Sequence, residues 1–303
     1  MQQNKNGNFE FTVGDVEILL DTFRDFWEAT AEIYNRYGGT PLDNSIASQE
    51  LVNFAPVKRV DGVYFNGKMS MESAADHLMS FADLLIEPVK TVAPWTCVRA
   101  SLEASALACW LLDPSVDVKT RVGRNYAYRY NGFKEQLKFS REVKNQSEID
   151  RALLRMDSAK SEAVSLGYLL VNDKNGKIIG IDQKMPFIID LIEMTLNRKS
   201  DYRLLSAVAH GHIWATHQVG FSQVEIENSE GNKIKALKKS GSPFYICYFG
   251  MVSFTSFSRV LYYLWKLFGW DLQELIILLD NAFDRLKYST RIRFWRMPAG
   301  STW

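Results

Sequence analysis

The sequence predicts an all-α protein, a multi-helix bundle of about eight helices with one or two small β-hairpins. Apolar residues recur with the period of an amphipathic helix through most of the chain. Proline, glycine and aspartate stand at the ends of these periodic segments, where they begin or stop helices. Hydrophobic residues make up 47% of the 303 residues, which is enough to form a large buried core.

The first half of the chain contains three predicted helices and one predicted hairpin. A helix over 15–37 ends at a Gly-Gly pair. Between 41 and 68 the helical period is lost, and Asp61-Gly62 separates two short β-prone runs, which predicts a hairpin with a two-residue turn. Further helices are expected over 69–92 and 94–112.

The second half continues the helical pattern. Asp117 is expected to cap a helix that runs to 143. Gly231-Asn232 lies at the centre of a second predicted hairpin, over 224–237. The other helices are expected over 147–170, 184–196, 201–220, 243–268 and 271–288.

One domain is expected over 1–303, because the chain has no internal repeat and no low-complexity segment. Its helical core should span about 69–220, with a C-terminal helical pair over about 243–289 packed on it. The tail 287–303 mixes basic and aromatic residues. We expect this tail to dock as a strand on the core, although the same mixture also suits single-stranded nucleic acid.

Charge and cysteine content indicate the class of protein. Lysine and arginine number 36 against 35 aspartate and glutamate residues, so no general attraction to nucleic acid or an anionic membrane is expected, and any anion site must be local. The three cysteines, Cys97, Cys109 and Cys247, form no CxxC motif, which favours the cytoplasm. Polar residues interrupt the apolar segment 244–268, so we expect a buried helix and no association with a membrane.

The stretch 202–217, YRLLSAVAHGHIWATH, holds three of the four histidines. Histidine titrates near neutral pH and arginine stabilises phosphate charge, so such a stretch could perform acid–base chemistry on an anion. The structural alternative is a polar seam between helices, with His210 hydrogen-bonded inside the core. On one continuous helix, a single face would carry Arg203, Ser206, His210 and His217.

Two further charged pairs indicate either a binding site or a structural network. Arg99 and Glu103 are one turn apart in an otherwise apolar helix, where both charges need partners. Arg121 and Arg124 form a basic pair on the next helix that could meet Glu103 or grip a phosphate. Salt bridges between adjacent helices are the structural alternative for all four residues.

Motifs of several common enzyme classes are missing from the chain. It has no GxxxxGK[ST], GxGxxG, GxSxG, HExxH or HRD motif, so the P-loop, Rossmann, hydrolase, zincin and kinase classes lack their minimum residues. On a helix, His210 and His212 point ~200° apart, and His210 and His217 lie ~10 Å apart, so neither pair suits one zinc ion. We therefore expect no metal and no cofactor.

Two resemblances arise from these residues. The segments RASLEASALACWLLDP, RVGR and YRLLSAVAHG resemble a set of bacterial helical proteins with an R..LEA.A..WLLDP segment, an R..R pair and a Y..LS..AHG helix, over about 95–217. That set implies a helical fold and no particular activity. More distantly, Arg203 and His210, with six residues between them, resemble the arginine and histidine of HEPN-superfamily ribonucleases. Leu204 stands where that superfamily commonly has a polar residue.

The HEPN resemblance implies metal-independent cleavage of RNA by a homodimer, as in toxins and phage-defence effectors. The 2′-hydroxyl would attack its own phosphate while His210 moves a proton and Arg203 stabilises the added negative charge. Apart from this resemblance, the candidate residues for a phosphate or other anion site, or for a structural ion-pair cluster, are Arg99, Glu103, Arg121, Arg124, Ser206 and His217.

Two other functions remain open at this stage. A non-catalytic helical protein could bind a partner protein, with Arg203 paired to a buried carboxylate such as Glu103. A third function is the binding of a nucleotide or another small ligand between the helix of Arg99 and the helix of Arg121.

Overall fold

Eleven helices dominate the computed structural model, which describes residues 2–3, 9–10, 13–54, 56–86, 90–229, 231–239 and 242–290. Within those ranges, the predicted all-α class with small hairpins is confirmed, although the expected number of about eight helices is too low. The helices are α1 (Val13–Arg36), α2 (Ile46–Asn53), α3 (Val57–Asp83), α4 (Ala93–Leu111), α5 (Val118–Glu142), α6 (Gln146–Ser165), α7 (Ile188–Leu196), α8 (Lys199–Ala209), α9 (Ile213–Gly220), α10 (Pro243–Phe268) and α11 (Leu272–Thr290).

The strands form three antiparallel pairs in the described part of the chain. The longest hairpin pairs Phe221 with Lys239 and Glu227 with Lys233, around the turn that the sequence predicted. A second antiparallel pair lies between α6 and α7. The strands are β1 (Gln2–Gln3), β2 (Phe9–Glu10), β3 (Leu170–Asn172), β4 (Ile178–Ile181), β5 (Phe221–Glu227) and β6 (Lys233–Lys239).

The hairpin predicted at Asp61-Gly62 is wrong, because these residues lie inside α3. Val60, Val63 and Tyr64 are all buried, and their spacing is that of one helical face. All three belong to the hydrophobic core, and this tertiary burial outweighs the local β propensity of the valines.

Helix ends follow the local signals more closely. The Asp117 carboxylate accepts a hydrogen bond from the Thr120 backbone N–H at 2.7 Å, so the predicted cap of α5 is confirmed. Asn145 caps α6, and its side chain accepts a hydrogen bond from the Glu148 backbone N–H. Gly269 ends α10 with a φ of 71°, a left-handed conformation that glycine adopts at little cost.

α10 lies at the centre of the core. It packs against α1, α3 and α4, and buried hydrophobic residues from α1 through α11 form one cluster with it. Among the described residues, α10 is the one helix long and apolar enough to cross a membrane, and 72% of its most apolar window is buried inside the protein. Such burial on most sides is typical of a core helix.

The predicted docking of the basic and aromatic tail falls largely outside the described residues. The backbone is described to Thr290 and side chains to Leu286. The prediction for 287–303 therefore stays a prediction.

Candidate functional site

The histidine-rich stretch forms a corner between two helices instead of the one continuous helix predicted over 201–220. α8 ends at Ala209, and Gly211 has a φ of 71°. The Gly211 N–H donates to the Val208 carbonyl at 3.0 Å, and the His212 N–H donates to the Ala207 carbonyl at 2.9 Å. This pair of hydrogen bonds is the Schellman arrangement, which closes a helix around a left-handed glycine.

The corner divides the predicted polar face. Arg203, Ser206 and His210 remain on one face of α8 and its C-cap, at positions i, i+3 and i+7. His217 lies on α9 and does not extend that face. The prediction that all four residues share one stripe is therefore wrong for His217.

Arg203 and His210 both expose their side chains to solvent. In the described part of the chain neither side chain forms a hydrogen bond or an ion pair. The alternative in which Arg203 pairs with Glu103 and His210 lies inside the core is thus wrong on both counts. Ser206 is half-buried, and its carbonyl accepts the His210 backbone N–H at 3.1 Å.

Two large apolar side chains are exposed beside His210 at the start of α9. Ile213 is 73% exposed and Trp214 is 60% exposed. Ala215 and Val219 of the same helix are buried and hold α9 on the protein. We call the exposed pair the α9 patch, and its apolar area, close in sequence to the exposed His210, suits contact with another molecule.

Arg99 and Glu103 form a half-buried ion pair next to α8, with Nε and Oε1 2.9 Å apart. The Arg99 guanidinium also donates to the Tyr202 hydroxyl at 3.3 Å and lies 5.5 Å from the centre of that ring. Burial raises the pKa of Tyr202, whereas the hydrogen bond from Arg99 acts in the opposite direction. This cluster joins α4 to α8 and anchors the residue that precedes Arg203.

Arg121 is a structural residue. Its side chain is 2% exposed, and its guanidinium pairs with the Glu50 carboxylate of α2. Another nitrogen of the Arg121 guanidinium donates a hydrogen bond to the Asp113 carbonyl at 2.8 Å. The Tyr64 hydroxyl also donates to Glu50, and burial is the main cause that raises the pKa of Tyr64. No sequence signal indicated Glu50, because α2 lies in the segment without helical periodicity.

Arg124 is likewise held by protein groups. It donates to the Trp110 carbonyl at 2.7 Å and to the Asp113 carboxylate at 3.2 Å. Burial alone would raise the pKa of Asp113, but hydrogen bonds from Ser115 and Arg124 lower it. Of the two alternatives for Arg121 and Arg124, the structure has the salt bridges between helices, with Arg121 bound to α2 and Arg124 to the end of α4.

Within the described ranges, no group of three histidine, cysteine, aspartate or glutamate side chains could hold a metal ion. The three cysteines are free thiols. Burial raises the pKa of both Cys109 and Cys247 to about 12. Protonated, buried thiols are poor nucleophiles and poor metal ligands.

Comparison of the chain with protein-family models, curated proteins and solved structures finds no match. The resemblances drawn from the sequence therefore stay predictions. The groups available for chemistry are the Arg203 guanidinium and the His210 imidazole, which are exposed on one face of α8 and its C-cap, and the α9 patch follows directly in sequence.

Proposed function

We propose that the protein is a metal-independent ribonuclease of the HEPN type, with Arg203 and His210 as catalytic residues. One observation carries the proposal: both side chains are exposed on the same face of α8 and have no partner in the described part of the chain. Exposure leaves them available to a substrate phosphate. The other arginines of the predicted site, Arg99, Arg121 and Arg124, are engaged by protein groups.

The chemistry needs only these two residue types. A neutral histidine takes the proton of the RNA 2′-hydroxyl as its oxygen attacks the adjacent phosphorus. The bond to the 5′-oxygen breaks, and that oxygen leaves with a proton from an acid. The products are a 2′,3′-cyclic phosphate and a free 5′-hydroxyl. Arg203 stabilises the negative charge that develops on the phosphate oxygens.

A homodimer would supply the missing acid. Arg203 and His210 lie about 10 Å apart along the axis of α8, and one chain offers a single histidine on this face. A second copy related by a two-fold axis would bring its own histidine, so that one imidazole acts as base and the other as acid. The α9 patch beside His210 offers apolar area for such contact.

The test compares wild type, Arg203→Ala, His210→Ala and His77→Ala on mixed RNA in EDTA. His77 lies on α3 and serves as the matched histidine control. We expect fragments ending in a 2′,3′-cyclic phosphate from wild type and His77→Ala. The two α8 variants should lose roughly 100-fold or more of the rate. The proposal is rejected if His210→Ala cleaves RNA as fast as wild type does. It is also rejected if wild type cleaves no RNA at protein concentrations up to those at which it is a dimer.

A non-catalytic interaction protein is the second candidate, and the exposure of Ile213 and Trp214 is the observation that favours it. In that case Trp214→Ala would abolish binding of a partner protein while His210→Ala would leave that binding intact. Ligand binding between α4 and α5 finds no such support, since Glu103, Arg121 and Arg124 already bind protein groups.

A further inference from the structure

A cavity of about 190 Å³ lies between α1, α3 and α10. None of its lining residues belongs to α8 or α9, so it is separate from the proposed catalytic face. It is smaller than the ~300–1,000 Å³ of sites for drug-sized ligands, and therefore suits a small ion or molecule. The residues that define its walls are Trp27, Ala31, Tyr34, Met71, Glu72 and Trp265.

The α1 wall consists of two aromatic rings with a gap between them. Trp27 and Tyr34 are seven residues apart, so they share one face of α1 and lie ~10 Å apart along its axis. Ala31 stands between them, and its short side chain leaves the gap open. A cation in the gap would have an aromatic side chain on either side, and cation–π attraction acts within about 6 Å of a ring centre.

The α3 wall contributes a carboxylate. Glu72 forms no ion pair with the described residues. Lys68, one turn earlier, donates to the Gly39 carbonyl at 3.0 Å and lies 5.7 Å from the centre of the Phe268 ring. Burial raises the pKa of the Glu72 carboxyl, and the charge of Lys68 acts in the opposite direction. An unpaired negative charge thus stands beside an aromatic and apolar surface.

We propose that this cavity binds a small organic cation of the alkylammonium class. Trp27 and Tyr34 would contact the cation through their ring faces, and Glu72 would neutralise its charge. The buried floor of Met71 and Trp265 would cover its alkyl groups. This binding function does not depend on the proposed ribonuclease activity, because the two sites share no residue.

Isothermal titration calorimetry with choline chloride, at constant ionic strength, tests the proposal. Wild type should bind choline, and the neutral tert-butyl analogue of choline should bind about tenfold more weakly, because it has the same shape without the charge. Glu72→Gln should weaken choline binding by about tenfold. Ala31→Leu, which fills the gap, should abolish it.

Glu28→Gln is the matched control, since Glu28 is an exposed carboxylate of α1 that does not line the cavity. It should bind choline like wild type. Circular dichroism checks that Ala31→Leu is folded. If Ala31→Leu does not fold, the result for Glu72→Gln still tests the proposal. The proposal is overturned if wild type binds no choline, if the neutral analogue binds equally well, or if Glu72→Gln behaves like Glu28→Gln.

Discussion

Arg121 and Glu50 form an ion pair that joins α5 to α2 across 71 residues of sequence, and the Arg121 side chain is 2% exposed. The Tyr64 hydroxyl of α3 donates to the same carboxylate. Three helices therefore meet at one charged group. The Arg121 guanidinium thus has the structural one of its two possible roles, and it stabilises the segment 41–68, where no helix was predicted.

Removal of this guanidinium should be strongly destabilising. In Arg121→Met the Glu50 carboxylate loses its buried partner, and such losses cost about 3–5 kcal/mol. Urea unfolding monitored by circular dichroism measures the change. Arg203→Met is the matched control, because Arg203 is exposed and its loss should change the free energy of unfolding by less than about 0.5 kcal/mol. Similar effects of the two variants would contradict the structural role given to Arg121.

Two glycine substitutions should have opposite effects on stability. Gly211 has a φ of 71°, so Gly211→Ala should destabilise by about 1 kcal/mol through backbone strain alone, because its added Cβ meets no atom within 4 Å. Gly132 lies inside α5, and its added Cβ also meets open space. Gly132→Ala should therefore stabilise by about 0.5–1 kcal/mol. Thermal unfolding of both variants gives the sign of each change in stability. Stabilisation by Gly211→Ala would contradict the left-handed conformation of Gly211 at the end of α8.

The Asp113 carboxylate should contribute to stability in a way that is lost in acid. Its pKa is lowered below the ordinary 3.8, so the folded state holds the charged form more strongly than the unfolded state does. The contribution is complete above about pH 5 and disappears as the pH falls through the lowered pKa. Wild type should therefore be more stable than Asp113→Asn at neutral pH, and the gap should narrow below pH ~4.

Ser115→Ala provides the second variant for the acid experiment. Ser115 donates to Asp113 through both its hydroxyl, at 2.6 Å, and its backbone N–H, at 3.0 Å. Loss of the hydroxyl should leave the pKa of Asp113 lowered by less. In the Ser115→Ala background, Asp113→Asn should therefore reduce the free energy of unfolding at neutral pH by less than it does in wild type. If the difference in free energy of unfolding between wild type and Asp113→Asn stays constant from neutral to acid pH, ionisation of Asp113 does not contribute to stability.

The cysteines should differ in their reactivity towards iodoacetamide. Cys109 and Cys247 are buried with pKa values raised to about 12, whereas Cys97 is half-buried, and burial and Asp76 raise its pKa. At pH ~8 native protein should be alkylated slowly, at Cys97 alone, because the thiolate is the reactive form. In urea all three should react. Peptide mass spectrometry locates the label, and rapid labelling of Cys247 in native protein would contradict the buried position of α10.

Local signals explain why some elements could be predicted. α1 shows a helical period that a Gly-Gly pair ends, and it spans Val13–Arg36, close to the expected 15–37. The Asp117 cap of α5 and the hairpin turn at Gly231 were both predicted, because a cap and a hairpin turn depend on a few adjacent residues. Gly211 carried the same kind of signal, a glycine directly after a periodic segment, and it could have placed the end of α8.

Other features required the tertiary structure. The β-prone residues 57–65 form part of α3, and the helical face that contains Val60 and Val63 is buried in the hydrophobic core. The sequence identified Arg121 and Arg203 equally well as candidate cations. Their difference arises from position alone, since one faces Glu50 inside the protein and the other faces solvent.

The sequence by itself determined the all-α class, the amphipathic helices and most helix ends, because these follow from periodicity and from hydrogen bonds between near neighbours. Only the tertiary structure decided which charged side chains are paired, which are exposed, and where a cavity remains between helices. Burial and pairing depend on residues that are distant in the chain. The packing of the helices determines which oppositely charged group lies close enough to pair with a given side chain.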